Sequence, residues 1–170
     1  MNRDHIIKAF ESLDAKLERR GAKGEIGVVG GAAMLLAFNA RAATKDVDGI
    51  FFPSEVLREC AVEVARELSL PENWLNDAVK AYLPQDPTPT SAVYKGPSLT
   101  VWVPPAEYLL AMKSISARFD SQDGNDIRFL IRHLGLKTVA EVFKIVEHYY
   151  PRRLIPPKTQ FFLEEFFERR

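Results

Sequence analysis

The chain has 170 residues, 46% of them hydrophobic, and 23 Lys plus Arg balance 23 Asp plus Glu to a formal net charge of zero. That length suits one domain with room for a small helical appendage, and the neutral balance excludes a polybasic, histone-like nucleic-acid binder while leaving room for a local basic patch. A single cysteine, Cys60, excludes an internal disulfide and a Cys-rich zinc site, so a reduced, cytoplasmic setting is expected.

In chain order, residues 4–20 read as an amphipathic helix with Ile6, Ile7, Phe10, Leu13 and Leu17 at helical spacing, ended by Gly21 and Gly24. Residues 25–29 form a short apolar run expected to be a buried strand. It stops at Gly30-Gly31, and strong helix formers follow from Ala32 to Phe38. The stretch 26–40 is the longest without charge, yet it is too short and too broken by glycine to span a membrane. The opening residues lack the basic-then-apolar order of a signal peptide.

A second strand is expected over 46–52, with Val47, Ile50 and Phe52 facing the core. Pro53 closes it, and Ser54 is placed to cap a helix over 55–68 that carries Cys60 as a packing residue. The segment 84–97 holds four prolines and reads as a loop, with a strand signal in Ala92-Val93-Tyr94 and a clearer one over 99–103. Pro104-Pro105 then opens a helix from Ala106 to about Arg118. A polar turn over 119–125 follows, then helices over 126–134 and 139–149. The tail from Pro157 places Phe161, Phe162, Leu163, Phe166 and Phe167 in an apolar helical stripe. The pattern is α/β in content: a small mixed sheet with flanking helices over 1–104, then a helical portion over 105–170. Basic residues gather late, with five basic and ten acidic groups over 45–112 but eleven and eight over 113–170.

The most informative feature is Gly30-Gly31 followed by Asp46-Val47-Asp48. Strand residues two apart share a face, so Asp46 and Asp48 are expected side by side. Two such carboxylates repel unless a cation lies between them. Oxygen-only ligands suit Mg²⁺, which takes one or two carboxylates and fills its shell with phosphate and water. Paired glycines at a strand-to-helix turn let a phosphate approach the backbone. Either feature alone is common on ordinary folds; their occurrence on adjacent strands joined by one short helix is what points to a site.

With Arg41 and Thr44 between them, Gly30-Gly31-Ala32-Ala33 and Asp46-Val47-Asp48 resemble the signature of the polymerase-beta-like nucleotidyltransferases. The likeness is closer still to the AbiEii-type branch, which includes the MenT-type nucleotidyltransferase toxins. Leu109-Leu110-Ala111-Met112-Lys113, then Ala117-Arg118, then Asp123-Gly124-Asn125-Asp126-Ile127 resemble that branch's later lysine helix and acidic turn. The likeness covers about residues 25–135.

The resemblance implies that Gly30, Gly31 and Ala32 cradle a triphosphate and that Asp46 and Asp48 bind Mg²⁺ or Mn²⁺. Lys113 is expected to contact nucleotide phosphates, and Asp123 or Asp126 to complete the site. Arg41, Thr44 and Lys45 would add phosphate contacts. It implies an NTP substrate, tRNA or another RNA as acceptor, and an antitoxin protein as partner. A protein acceptor, or a non-catalytic nucleotide- or partner-binding member, are the alternatives. Two departures stand out: Ala32 replaces the serine common after the glycines, and the strand at 99–103 carries no third carboxylate.

Other residues read more plainly. Lys113 on an apolar helix has snorkelling to solvent as its ordinary role, and Asp126 is well placed to cap the helix that follows it. His133 and His148 lack a ligand three or four residues away. The segment Tyr149-Tyr150-Pro151-Arg152-Arg153, with Lys158, mixes basic and aromatic groups of the kind that contact phosphates and stack on bases.

Overall fold

A computed structural model describes residues 1–84, 88–116, 122–151 and 154–168, with the side chains of residues 81 and 82 left aside. The chain divides into two compact units. Met1–Ala81 and Thr88–Pro104 form the first; residues 82–84 and the chain from Pro105 onward belong to the second. The architecture is α+β, with a mixed five-stranded sheet in the first unit and helices alone in the rest of the second.

The first unit begins with helix α1 (Arg3–Arg19), whose N-cap Asn2 accepts from the His5 N–H. Its buried stripe is Ile6, Ala9, Phe10, Leu13 and Leu17. Strand β1 (Gly24–Val28) turns at once into α2 (Gly30–Leu36), and β2 (Val47–Phe52) follows. Helix α3 (Ser54–Leu68) comes next, then the two-residue β3 (Leu75–Asn76) and a short 3-10 helix at Ala78–Tyr82. Strands β4 (Ser91–Lys95) and β5 (Leu99–Val103) complete the unit.

The strand order is β3-β2-β1-β5-β4. Central β1 pairs antiparallel with β2, Val28 opposite Gly49, and parallel with β5, Gly24 opposite Leu99. Its Ile26, Gly27 and Val28 are all buried, as a strand covered on both faces requires. The third pairing is parallel and sets Asp48 opposite Asn76. Helices α1 and α3 pack together and are laced at the surface by Lys16–Glu67 at 2.6 Å and by Arg20–Glu63. A buried carboxylate ties α1 to the β4–β5 hairpin: Asp14 accepts from the Ser98 N–H at 2.7 Å and from the Tyr94 hydroxyl at 3.1 Å.

In the second unit α4 (Ala106–Ser116) is apolar nearly all round, which places it inside the bundle, packed on α5 (Asp123–His133) and α6 (Val139–Tyr149). A capping box between Thr138 and Glu141 starts α6. Helix α7 (Pro157–Glu168) is held by Leu163 and by the buried Thr159 hydroxyl, which donates to the Ser114 carbonyl at 2.8 Å.

Several expectations need correction. Phe52 does not face the core: it is 64% exposed, and Phe51 is the buried neighbour. Alternation from Val47 sends Gly49 and Phe51 to its side. Ser54 is the first helical residue and caps nothing; Pro53 holds the cap position. Residues 123–125 are the opening of α5 rather than a polar turn, with Gln122 at the N-cap, so Asp126 is no cap. In the tail stripe only Leu163 is buried, and Phe161 stands 69% exposed. The motif residues Ala117 and Arg118, and the basic pair Arg152 and Arg153, lie outside the described residues.

Candidate functional site

The first unit brings together the glycine turn and the segment that leads into β2. Gly30 opens α2 with φ +64°, a left-handed conformation open to glycine at little cost. Its missing side chain also makes room, since a Cβ there would lie 2.8 Å from Oδ2 of Asp48. Gly31 does the same for two other groups: a Cβ on it would lie 2.8 Å from Nη1 of Arg41 and 2.8 Å from Oγ1 of Thr44. A carboxylate, a guanidinium and a hydroxyl thus lie against one stretch of bare backbone.

Local hydrogen bonds hold this arrangement. The Val29 N–H donates to the Asp48 carbonyl at 2.9 Å, tying the glycine turn to the start of β2. The Thr44 hydroxyl donates to the Asp46 carbonyl at 3.2 Å. The Thr44 N–H donates to the Met1 carbonyl at 2.9 Å, and the chain's terminal ammonium donates back to the Thr44 carbonyl. Arg3 adds a bond to the Leu36 carbonyl at 2.7 Å. The loop carrying Arg41 and Thr44 is therefore tied to Met1, just ahead of α1, and to Asp46, just ahead of β2.

Asp46 lies one residue before β2 and Asp48 is its second residue; both are half-buried. Lys45 is exposed, Arg41 and Thr44 are half-buried, and Ala32 is fully buried. Ala32 therefore offers a substrate neither a hydroxyl nor an accessible surface. Among the described residues no group of three or more His, Cys, Asp or Glu side chains is arranged to hold a metal ion. The Asp48 carboxylate lies against the glycine turn, with Asp46 two residues before it in the chain; carboxylates are the oxygen ligands that suit a hard divalent cation drawing its remaining ligands from phosphate and water.

The second unit carries a separate charged cluster. Lys113 on α4 is 6% exposed, and its Nζ lies 2.9 Å from Oδ1 of Asp123 and 2.7 Å from Oδ2 of Asp126 on α5. Its ammonium is thus engaged by two carboxylates rather than left to snorkel. The two acids differ in setting: Asp126 is 2% exposed, whereas the Asp123 side chain retains 25%. Sequence favours Asp123 over Asp126 without separating them clearly; in the structure only Asp123 keeps solvent access, while Asp126 is sealed against the lysine.

Sequence reasoning missed the bracing by Met1 and Arg3, for which no local pattern exists. It also missed Asn76 beside Asp48, because β3 is two residues long. Comparison with protein-family models, curated proteins and solved structures yields no match.

Proposed function

We propose that this chain is a metal-dependent nucleotidyltransferase that moves a nucleotidyl group from an NTP to the 3′ hydroxyl of an RNA, such as tRNA, and releases pyrophosphate. The observation that carries this reading is the packing of Asp48 on Gly30 and of Arg41 and Thr44 on Gly31. Phosphoryl-type transfer asks a protein for positioning and charge neutralisation rather than covalent chemistry, and this cluster offers both.

In this reading Asp46 and Asp48 hold Mg²⁺ or Mn²⁺, which when bound neutralises triphosphate charge and polarises phosphoryl oxygens. Gly30 and Gly31 leave room for Asp48, Arg41 and Thr44 to lie against the backbone. Arg41 contributes a planar fork of N–H donors suited to phosphate, and Thr44 a hydroxyl; Lys45 adds a solvent-exposed cation. The acceptor oxygen gives up its proton to solvent and bonds to the α-phosphorus as the bond to pyrophosphate breaks. In the second unit Asp123 is the more open of the two acids that hold Lys113. Lys113 is a positioning residue for Asp123, and Asp126 holds Lys113 in place. A toxin role with an antitoxin partner belongs to the same proposal.

A second reading has its own observation. Lys113 is committed to two carboxylates, and buried Ala32 lacks a hydroxyl; both favour a member that binds nucleotide or a partner without transferring anything.

Calorimetric titration with a non-hydrolysable NTP analogue tests the shared premise. Binding is expected to require Mg²⁺ and to weaken by about tenfold or more, roughly 1.4 kcal/mol, in Asp46→Asn/Asp48→Asn. Equal, Mg²⁺-independent binding by both proteins would contradict the site.

A further inference from the structure

We infer that the outward face of α5, formed by Asn125, Arg128, Phe129, Arg132 and His133, is the surface on which a single-stranded segment of the RNA acceptor docks; the inference rests on the reading above. Asn125, Arg132 and His133 are exposed, and Arg128 and Phe129 are half-buried. Gly124, Asp126, Ile127, Leu130 and Ile131 take the buried side of the helix, so the five share the side that remains.

Among the described residues no carboxylate compensates the charge of the two arginines on this face. Arg128 lies with its guanidinium carbon 4.7 Å from the centre of the Phe162 ring, and Arg132 lies 6.0 Å from that of Phe166. Stacking on a ring orients a guanidinium without removing its charge, and it leaves the N–H edges available to phosphate. Among the described residues neither arginine pairs with a carboxylate; Arg128 has one hydrogen bond, to Oδ1 of Asn125 at 3.3 Å. The two acids of α5, Asp123 and Asp126, are both held by Lys113. Helix α7 meets the two arginines with phenylalanines rather than with its glutamates.

The aromatic component is also in place. Phe129 and His133 are stacked, with ring centroids 5.8 Å apart and planes inclined by 13°. Flat rings beside uncompensated cations are the elements that bind single strands, because every base has a face to stack and every linkage a charge to neutralise. Arg128 and Arg132, one helical turn apart, sit about 6 Å from each other along the face, near the spacing of neighbouring phosphates. Asp123 opens the same helix but, at about 100° per residue, lies half a turn round it from Arg132, on the side of Lys113 and Asp126. A strand laid along α5 therefore has its phosphates on the arginines.

Fluorescence anisotropy with a labelled single-stranded RNA, without NTP, tests the face independently of transfer. Arg128→Gln/Arg132→Gln is expected to weaken binding at least tenfold and to flatten the salt dependence of log K by about 1.4, whereas Lys144→Gln on α6 leaves both unchanged. A double variant that binds like the wild type, or a wild type that does not bind RNA, overturns the inference. As a check free of any folding defect, wild-type protein is photocrosslinked to 4-thiouridine RNA and the attached peptides are mapped. Crosslinks within residues 122–133 support it, and crosslinks confined elsewhere overturn it. A wild-type dimer that the double variant turns into a monomer would assign the face to a second copy instead. Loss of RNA binding with label still transferred to a protein would remove the RNA acceptor and spare the transferase; RNA binding with no transfer to any acceptor would do the reverse.

Discussion

A methyl group on Gly30 would stand 2.8 Å from Oδ2 of Asp48. The first helical residue after β1 and the second residue of β2 are thus matched: one lacks a side chain where the other's carboxylate lies. Gly30→Ala carries two penalties, a left-handed backbone cost of about 1–2 kcal/mol and displacement of the carboxylate. Gly21→Ala is the control, since Gly21 has φ +62° and nothing within 4 Å of its Cβ position. Thermal melts are expected to fall in both variants, and further in Gly30→Ala. Nucleotide binding is expected to fall tenfold or more only in Gly30→Ala.

Lys113 and its two acids predict a stability effect that is separable from activity. Lys113→Met takes the lysine ammonium away from the carboxylate of Asp126, which is 2% exposed, at a cost of about 3–5 kcal/mol. The melting temperature should then drop by roughly 10 °C. Adding Asp126→Leu removes the buried charge, so the double variant should melt above Lys113→Met alone. Asp123→Asn, at a side chain that keeps 25% exposure, should cost no more than about 1 kcal/mol. An Asp123→Asn protein that melts as low as Lys113→Met would reverse the settings given to the two acids.

How far the fold could be read from the sequence depended on where the information lay. Strand β5 and helix α6 follow from local pattern, a β-branched and aromatic run in one case and a Thr138–Glu141 capping box in the other. The glycine turn and the spacing of Asp46 and Asp48 are also local, which is why these candidate residues were legible. Phe51 and Phe52 were not separable by composition, since both are aromatic and only the register fixed by Val47 assigns them to opposite faces. Asp126 looked like a cap because capping is a local rule, but Lys113, thirteen residues earlier, claims its carboxylate. The β2–β3 pairing and the bracing of Thr44 by Met1 come from tertiary contacts that no single segment encodes.

Two tyrosines set an alkaline limit on stability. Burial pushes the Tyr94 hydroxyl up to about 12, helped by its hydrogen bond to Asp14 and that group's charge; burial alone pushes Tyr150 up to about 12. An unfolded tyrosine titrates near 10. The folded state therefore holds protons that the unfolded state releases, and stability falls as pH rises between about 10 and 12. Below pH 10 the contribution is fully present. Denaturant midpoints measured across that window should decline, and the decline should be shallower in Tyr94→Phe and Tyr150→Phe.

Gly96 gives a fold-only counterpart to the site variants. A Cβ there would fall 1.8 Å from Oδ2 of Asp14, the carboxylate that binds Ser98 and Tyr94. Gly96→Ala should therefore cost about 3 kcal/mol through overpacking and broken hydrogen bonds. Activity per folded molecule should be unchanged, as active-site titration against the folded fraction will show.

The most direct measurement incubates the protein with Mg²⁺, each labelled NTP in turn, and total tRNA or a cell lysate, beside Asp46→Ala/Asp48→Ala. The account predicts label on RNA with wild type and one or more NTPs, and none with the double variant. Label on a protein band would keep the chemistry and replace the acceptor. Absence of label on every acceptor, or equal labelling by the double variant, would contradict the claim that Asp46 and Asp48 serve nucleotidyl transfer.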